Sequence, residues 1–134
     1  MTRSVLSVSL KGLAKDGELG AQLFRIPLGD GMGVRDIALE GDHFLILAGP
    51  AADVTGKYSI YTWDGVMEDG IAPVVSLTDI PGAGDNRKAE ALFPISHDEH
   101  VRRLLVLFDG EKEGSPLLLG ISEEIASTLS NATI

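Results

Sequence analysis

The chain has 134 residues, of which 44% are hydrophobic and 23% charged, a size and balance that allow a single domain, residues 1–134, with a real core and argue against disorder. Twenty acidic against eleven basic side chains leave a formal charge of −9, and a field of that sign repels nucleic-acid backbones and anionic membranes. The absence of cysteine removes disulfides, thiolate nucleophiles and Cys-ligated zinc together.

The first ten residues, Met1 to Leu10, interleave apolar and polar side chains around a single Arg3. A secretory signal needs a continuous apolar stretch there, so a cytoplasmic location is expected. No run of about 18 apolar residues offers a membrane helix. The expected partners therefore include neither nucleic acid nor membrane.

Glycine-punctuated short runs then follow one another. Val5–Leu10 and Gln22–Leu28 read as strands, the second ended or kept at a sheet edge by Pro27. Val34–Leu39, the turn at Glu40-Gly41-Asp42 and Phe44–Ala48 form a hairpin signature. Its second strand is apolar throughout, the pattern of a strand buried on both faces. Lys57–Trp63 alternates, with Tyr58, Ile60 and Thr62 on one face and Ser59, Tyr61 and Trp63 on the other; Asp64-Gly65 closes it with a turn. With so few aromatics in the chain, Tyr61 and Trp63 are assigned to packing. Val74–Thr78 is a further strand, and 79–86 a loop.

The order then restarts. Ala89–Phe93 reads as a strand, His97-Asp98-Glu99-His100 as a polar hairpin tip, Leu104–Phe108 as an apolar strand closed by Asp109-Gly110, and Pro116–Ile121 as the next strand. Ser122 followed by Glu123 and Glu124 starts a short terminal helix with Ile125, Ala126 and Leu129 as its apolar stripe.

Laying Asp36–Leu39 over Glu90–Phe93, and Leu45–Gly49 over Leu105–Asp109, gives an approximate internal repeat of some 54 to 60 residues. That is the length of one four-stranded blade with long loops. The expected fold is all-β, with about two to two and a half antiparallel propeller-like blades; a single β-sandwich shares the same turn spacing and stays open. Propellers close with four blades or more, so strand edges left uncovered predict self-association.

The series Gly31-Met-Gly-Val-Arg-Asp-Ile-Ala-Leu39, Gly41-Asp-His-Phe-Leu-Ile-Leu-Ala-Gly-Pro50 and Tyr58-Ser-Ile-Tyr-Thr-Trp-Asp-Gly65, with Glu90-Ala-Leu92 and Leu104–Gly110 after it, resembles the C-terminal half of the DUF3616 family of uncharacterised bacterial proteins. The resemblance spans about residues 20 to 110. It implies a propeller-like fold, no established activity, and blades N-terminal to those present here, so that the chain is expected to be the C-terminal portion of a larger propeller. The pattern differs at Ala89, where a proline usually precedes Glu-Ala-Leu, and at Asp109, which stands alone where two acids are usual.

Arg35, Asp36, Glu90 and Asp109 are the candidate ligand-binding residues. In the overlay, Asp36 and Glu90 share one place on innermost strands, so their carboxylates would converge at a channel mouth and could take Ca²⁺. Arg35 could clamp an anion. His97 and His100 bracket two acids but bring no further ligand pattern with them, and His43 heads a strand. Gly29–Gly33 lacks the following helix of a phosphate loop. The functional expectation is a binding or scaffold domain without a catalytic set; the alternative is a calcium-dependent hydrolase resembling phytase-like propellers, with Asp36, Glu90 and Asp109 about the metal.

Overall fold

The computed structural model describes residues 3–7, 21–52, 54, 56–83 and 87–122. Among these residues the fold is all-β. The strands are β1 (Arg3–Ser7), β2 (Gln22–Ile26), β3 (Met32–Glu40), β4 (His43–Pro50), β5 (Ser59–Trp63), β6 (Ile71–Ser76), β7 (Lys88–His97), β8 (Val101–Asp109) and β9 (Leu117–Ser122). Every pairing is antiparallel. β1 and β2 form a first sheet, β3-β4-β5-β6 a central one, and β7-β8-β9 a third, each in sequence order. The helix expected after Ser122 lies outside the described residues.

The apolar run of β4 explains how the sheets stack. Side chains alternate sides along a strand, and here both sides are covered. Leu45 and Leu47 join Tyr58 and Ile60 in a core shared with Leu92, Leu104, Val106 and Leu119 of the third sheet. Ile46 and Ala48 join Trp63 in a core shared with Phe24, Ile26 and Leu28 around the first sheet. The central sheet is thus the filling between two others. Each fully buried Leu or Ile in these layers contributes about 1.5–3 kcal/mol. The faces expected for Lys57–Trp63 are the ones found, with Tyr58 and Ile60 in one core and Tyr61 and Trp63 in the other. Trp63 meets the Phe24 ring edge-on at 5.0 Å, and its indole N–H donates to the Met67 carbonyl at 2.9 Å.

Two expectations shift. The strand read at Val74–Thr78 runs over Ile71–Ser76, and Leu77–Asp79 turns as a short 3₁₀ segment that buries Leu77. Pro73 is accommodated because β6 is an edge of the central sheet, with a register shift opposite it. β7 is longer than expected, reaching His97; Pro94 lies next to a second register shift on an edge strand.

Gly49 has a packing reason. A β-carbon there would run into the ring of Tyr58, so the two glycine- and tyrosine-bearing stretches that carry the family resemblance pack against one another.

Candidate functional site

β3 and β7 are the first strands of their sheets and lie against each other. Both carry a β-bulge. The β3–β4 register jumps from Val34 to Asp36 and leaves Arg35 as the extra residue. The β7–β8 register jumps from Ala89 to Ala91 and leaves Glu90 extra. Bulges re-aim a side chain out of the pleat, and these two are aimed at one another: Arg35 Nη1 stands 3.6 Å from Glu90 Oε2. Register therefore makes Arg35, and not Asp36, the counterpart of Glu90. The overlay of β3 on β7 was displaced by one position, whereas that of β4 on β8, Leu47 on Leu107, agrees with the pairing.

Arg35 is otherwise held by the Ala52 carbonyl, which accepts from Nη2 at 3.0 Å, and by the Tyr58 ring, 6.0 Å from the guanidinium carbon. Its Nε is buried with no hydrogen-bond partner. The guanidinium side chain is 18% exposed and Glu90 is 49% exposed, so solvent screens the pair and its contribution is below about 1 kcal/mol.

Asp36 is occupied differently. Its Oδ1 accepts from the Ile37 amide at 2.8 Å and its Oδ2 from the Leu92 amide at 2.7 Å. The second bond crosses from the central sheet to β7. A Ca²⁺ ion at Asp36 would share its oxygens with these amides, and one at Glu90 would face Arg35. Among the described residues no group of three or more His, Asp or Glu side chains could hold a metal ion. Asp109 ends β8, exposed, opposite Lys88 in the register. The structure thus gathers Arg35, Asp36 and Glu90 at the bulges of β3 and β7, with Asp109 one pair beyond Ala89–Phe108.

At the turn end of β3 a second polar cluster spans the same two sheets. Glu40 receives Arg102 Nε on both carboxylate oxygens, at 3.0 and 3.2 Å, and His97 Nδ1 lies 3.5 Å from Oε1. Glu40 and Arg102 are only 10% and 15% exposed. Beside them opens a cleft of about 620 Å³ between the β3–β4 turn and the β7–β8 hairpin. His43 also lines it, its Nδ1 2.6 Å from Asp42 Oδ1; that contact holds the Asp42 carboxyl below the usual range.

The polar tip behaves as a turn. Asp98 Oδ1 accepts from the His100 and Val101 amides at 2.9 and 2.8 Å, which lowers its pKa. Asp64 likewise caps the turn after β5 through the Val66 and Met67 amides. Of the tip residues only His97 reaches the cleft. Sequence reasoning missed Glu40 and Arg102, since partners 62 positions apart leave no local signal. It also missed Arg87, whose guanidinium lies 3.6 Å from the Phe108 ring centre, pairs with Glu111 at 2.9 Å and donates to the Ser115 carbonyl at 3.1 Å. That arginine ties the entry of β7 to the loop after β8.

These observations define an all-β domain of stacked antiparallel sheets, with the central and third sheets joined by two carboxylates of β3. The chain belongs to the DUF3616 family, proteins of unknown function, whose family model matches residues 7–115. No curated protein and no solved structure matches it. Among the described residues no helix is long and apolar enough to cross a membrane.

Proposed function

We propose that the chain is a block of propeller-type blades, part of a larger ring, and that it works as a scaffold domain that pairs with a second copy of itself through the outer face of the third sheet. Sequential antiparallel meanders, stacked face to face with their first strands adjacent, support the blade reading. The three sheets among the described residues are fewer than the four to eight blades that close a ring, so a face is left over.

One observation carries the pairing. Leu105 and Leu107 of β8 hold the register places of Leu45 and Leu47 in β4. In the central sheet those leucines are fully buried beneath the third sheet. The third sheet has no such cover among the described residues. Phe93, Leu105 and Leu118 make a cross-strand row on its open side, with Phe93 64% and Leu118 61% exposed. A contiguous apolar sheet face of this kind marks an interaction surface. A second copy offers the same row, so two copies laid face to face about 10 Å apart cover both at once in a two-fold, self-complementary contact. The charge of −9 on each copy opposes association, so added salt strengthens it.

Sedimentation velocity on the full chain tests the proposal: a dimer at about 100 µM, tightening with salt, is expected. Leu118→Glu then yields a monomer with an unchanged β spectrum. A wild-type monomer, or a dimer that survives both Leu118→Glu and Phe93→Glu, contradicts it; a monomer leaves the face to a blade carried by another polypeptide.

A further inference from the structure

We infer that the cleft between the β3–β4 turn and the β7–β8 hairpin is a binding site for a small, neutral, polyhydroxylated molecule of monosaccharide size. This inference is independent of the pairing face.

The volume, about 620 Å³, is within the range of small-molecule sites. The floor is preorganised. Glu40 and Arg102 come from different sheets and bond each other through both carboxylate oxygens, so neither has to be ordered by a ligand, and the entropic cost of binding is reduced accordingly. Both imidazoles in the wall are steadied by a neighbouring carboxylate, His97 by Glu40 and His43 by Asp42.

The charge inventory selects the ligand class. Arg102 is the single guanidinium in the wall and is already matched by Glu40, so an anion such as phosphate or a dicarboxylate meets no uncompensated positive charge there. It also approaches a protein of charge −9. A cation finds only Asp42 as an acid outside the buried pair, and that carboxylate is turned to His43 and nearly fully in water. The wall offers hydrogen-bonding groups instead: the Ser96 hydroxyl, which donates and accepts, the Thr62 hydroxyl, which donates to the Ala72 carbonyl at 3.4 Å and can still accept, and a second ring nitrogen on each imidazole. A ligand hydroxyl, donor and acceptor at once, matches all of these. Leu39 and Ile95 are exposed apolar side chains at the cleft's edges, suited to the C–H face of a sugar ring.

The test is an amide-resolved NMR titration of the full chain with four probes: glucose, myo-inositol, succinate and putrescine. Binding of a neutral polyol is expected, with shifts confined to residues 39–43 and 94–97. His97→Ala and, separately, Ser96→Ala should each weaken it about tenfold, the loss of one hydrogen bond to the ligand, with the rest of the spectrum unmoved. The inference is overturned if neither polyol shifts these amides, if succinate or putrescine shifts them more strongly than either polyol, or if both variants bind as the wild type does.

Discussion

The bulged middle of β3 and its turn end do the same mechanical task with different chemistry. At the bulge Asp36 reaches across to β7 and accepts a backbone amide, Leu92, while its other oxygen accepts Ile37. At the turn end Glu40 reaches across to a side chain, Arg102, with His97 close by. An amide is fixed by the strand it belongs to, so the Asp36 contact closes the sheets directly together. A guanidinium on a long side chain spans a gap, so the Glu40 contact holds the sheets while leaving space beside it. The cleft is at that end for this reason. A carboxylate that bonds backbone is a joint; one that bonds side chains also shapes a cavity.

The largest expected effect separates the two joints by strength. Glu40→Gln removes the charge that compensates a mostly buried Arg102, and denaturant unfolding should show a loss of about 2–3 kcal/mol, below the 3–5 of a fully buried pair because some solvent reaches both groups. Asp36→Asn keeps one acceptor but turns an amide donor toward a backbone N–H, and should cost about 1–2 kcal/mol in the same measurement. If the two losses come out in the reverse order, the turn end is not the stronger joint. Smaller still, Glu90→Gln should change stability by less than about 1 kcal/mol, since its contact with Arg35 is long and half exposed.

Acid unfolding reports on the turns. Asp64 and Asp98 are held below the usual value of 3.8 by the amides they cap, Val66 and Met67 in one case and His100 and Val101 in the other. A carboxylate with a lowered folded pKa binds fewer protons folded than unfolded. The stability it lends is therefore present above the unfolded value and is lost as pH falls through the lowered folded one. Asp64→Asn and Asp98→Asn should each flatten the melting temperature against pH below about pH 4 and leave it unchanged in slope near neutrality. The smallest expected effect is that of Ca²⁺ on the melting temperature, which should be nil, because the Arg35 guanidinium stands beside Glu90 and no third carboxylate among the described residues joins Asp36 and Glu90.

How far the sequence could be read follows from the range of each interaction. Strands and their faces were legible wherever alternation or a continuous apolar run was local: β4, read as buried on both sides, is covered on both, and Tyr58 to Trp63 divide between the two cores as their spacing requires. The β4–β8 overlay agrees with the observed register because neither strand carries a bulge within it. The β3–β7 overlay slipped by one because it matched acid to acid, Asp36 to Glu90, whereas the equivalent bulges align Arg35 with Glu90. Arg35, Asp36 and Glu90 were legible as a group, and the structure brings them together. Their individual partners were not, because Leu92 contributes only its backbone and Ala52 only a carbonyl. Glu40 and Arg102 were unreadable for a different reason: each is an ordinary charged residue beside a turn, and only the stacking of sheets makes them neighbours.

The central claim is that β3 joins the two larger sheets by two carboxylates with separate partners, one at its bulge and one at its turn end. The direct measurement is a ¹⁵N NMR spectrum following two protons, the Leu92 backbone amide and the Arg102 Nε–H, in the wild type, Asp36→Asn and Glu40→Gln. Both protons should be protected from exchange in the wild type; Asp36→Asn should expose the Leu92 amide alone, and Glu40→Gln the Arg102 proton alone. Leu92 and Arg102 signals that exchange freely in the wild type, or that neither substitution disturbs, would contradict it.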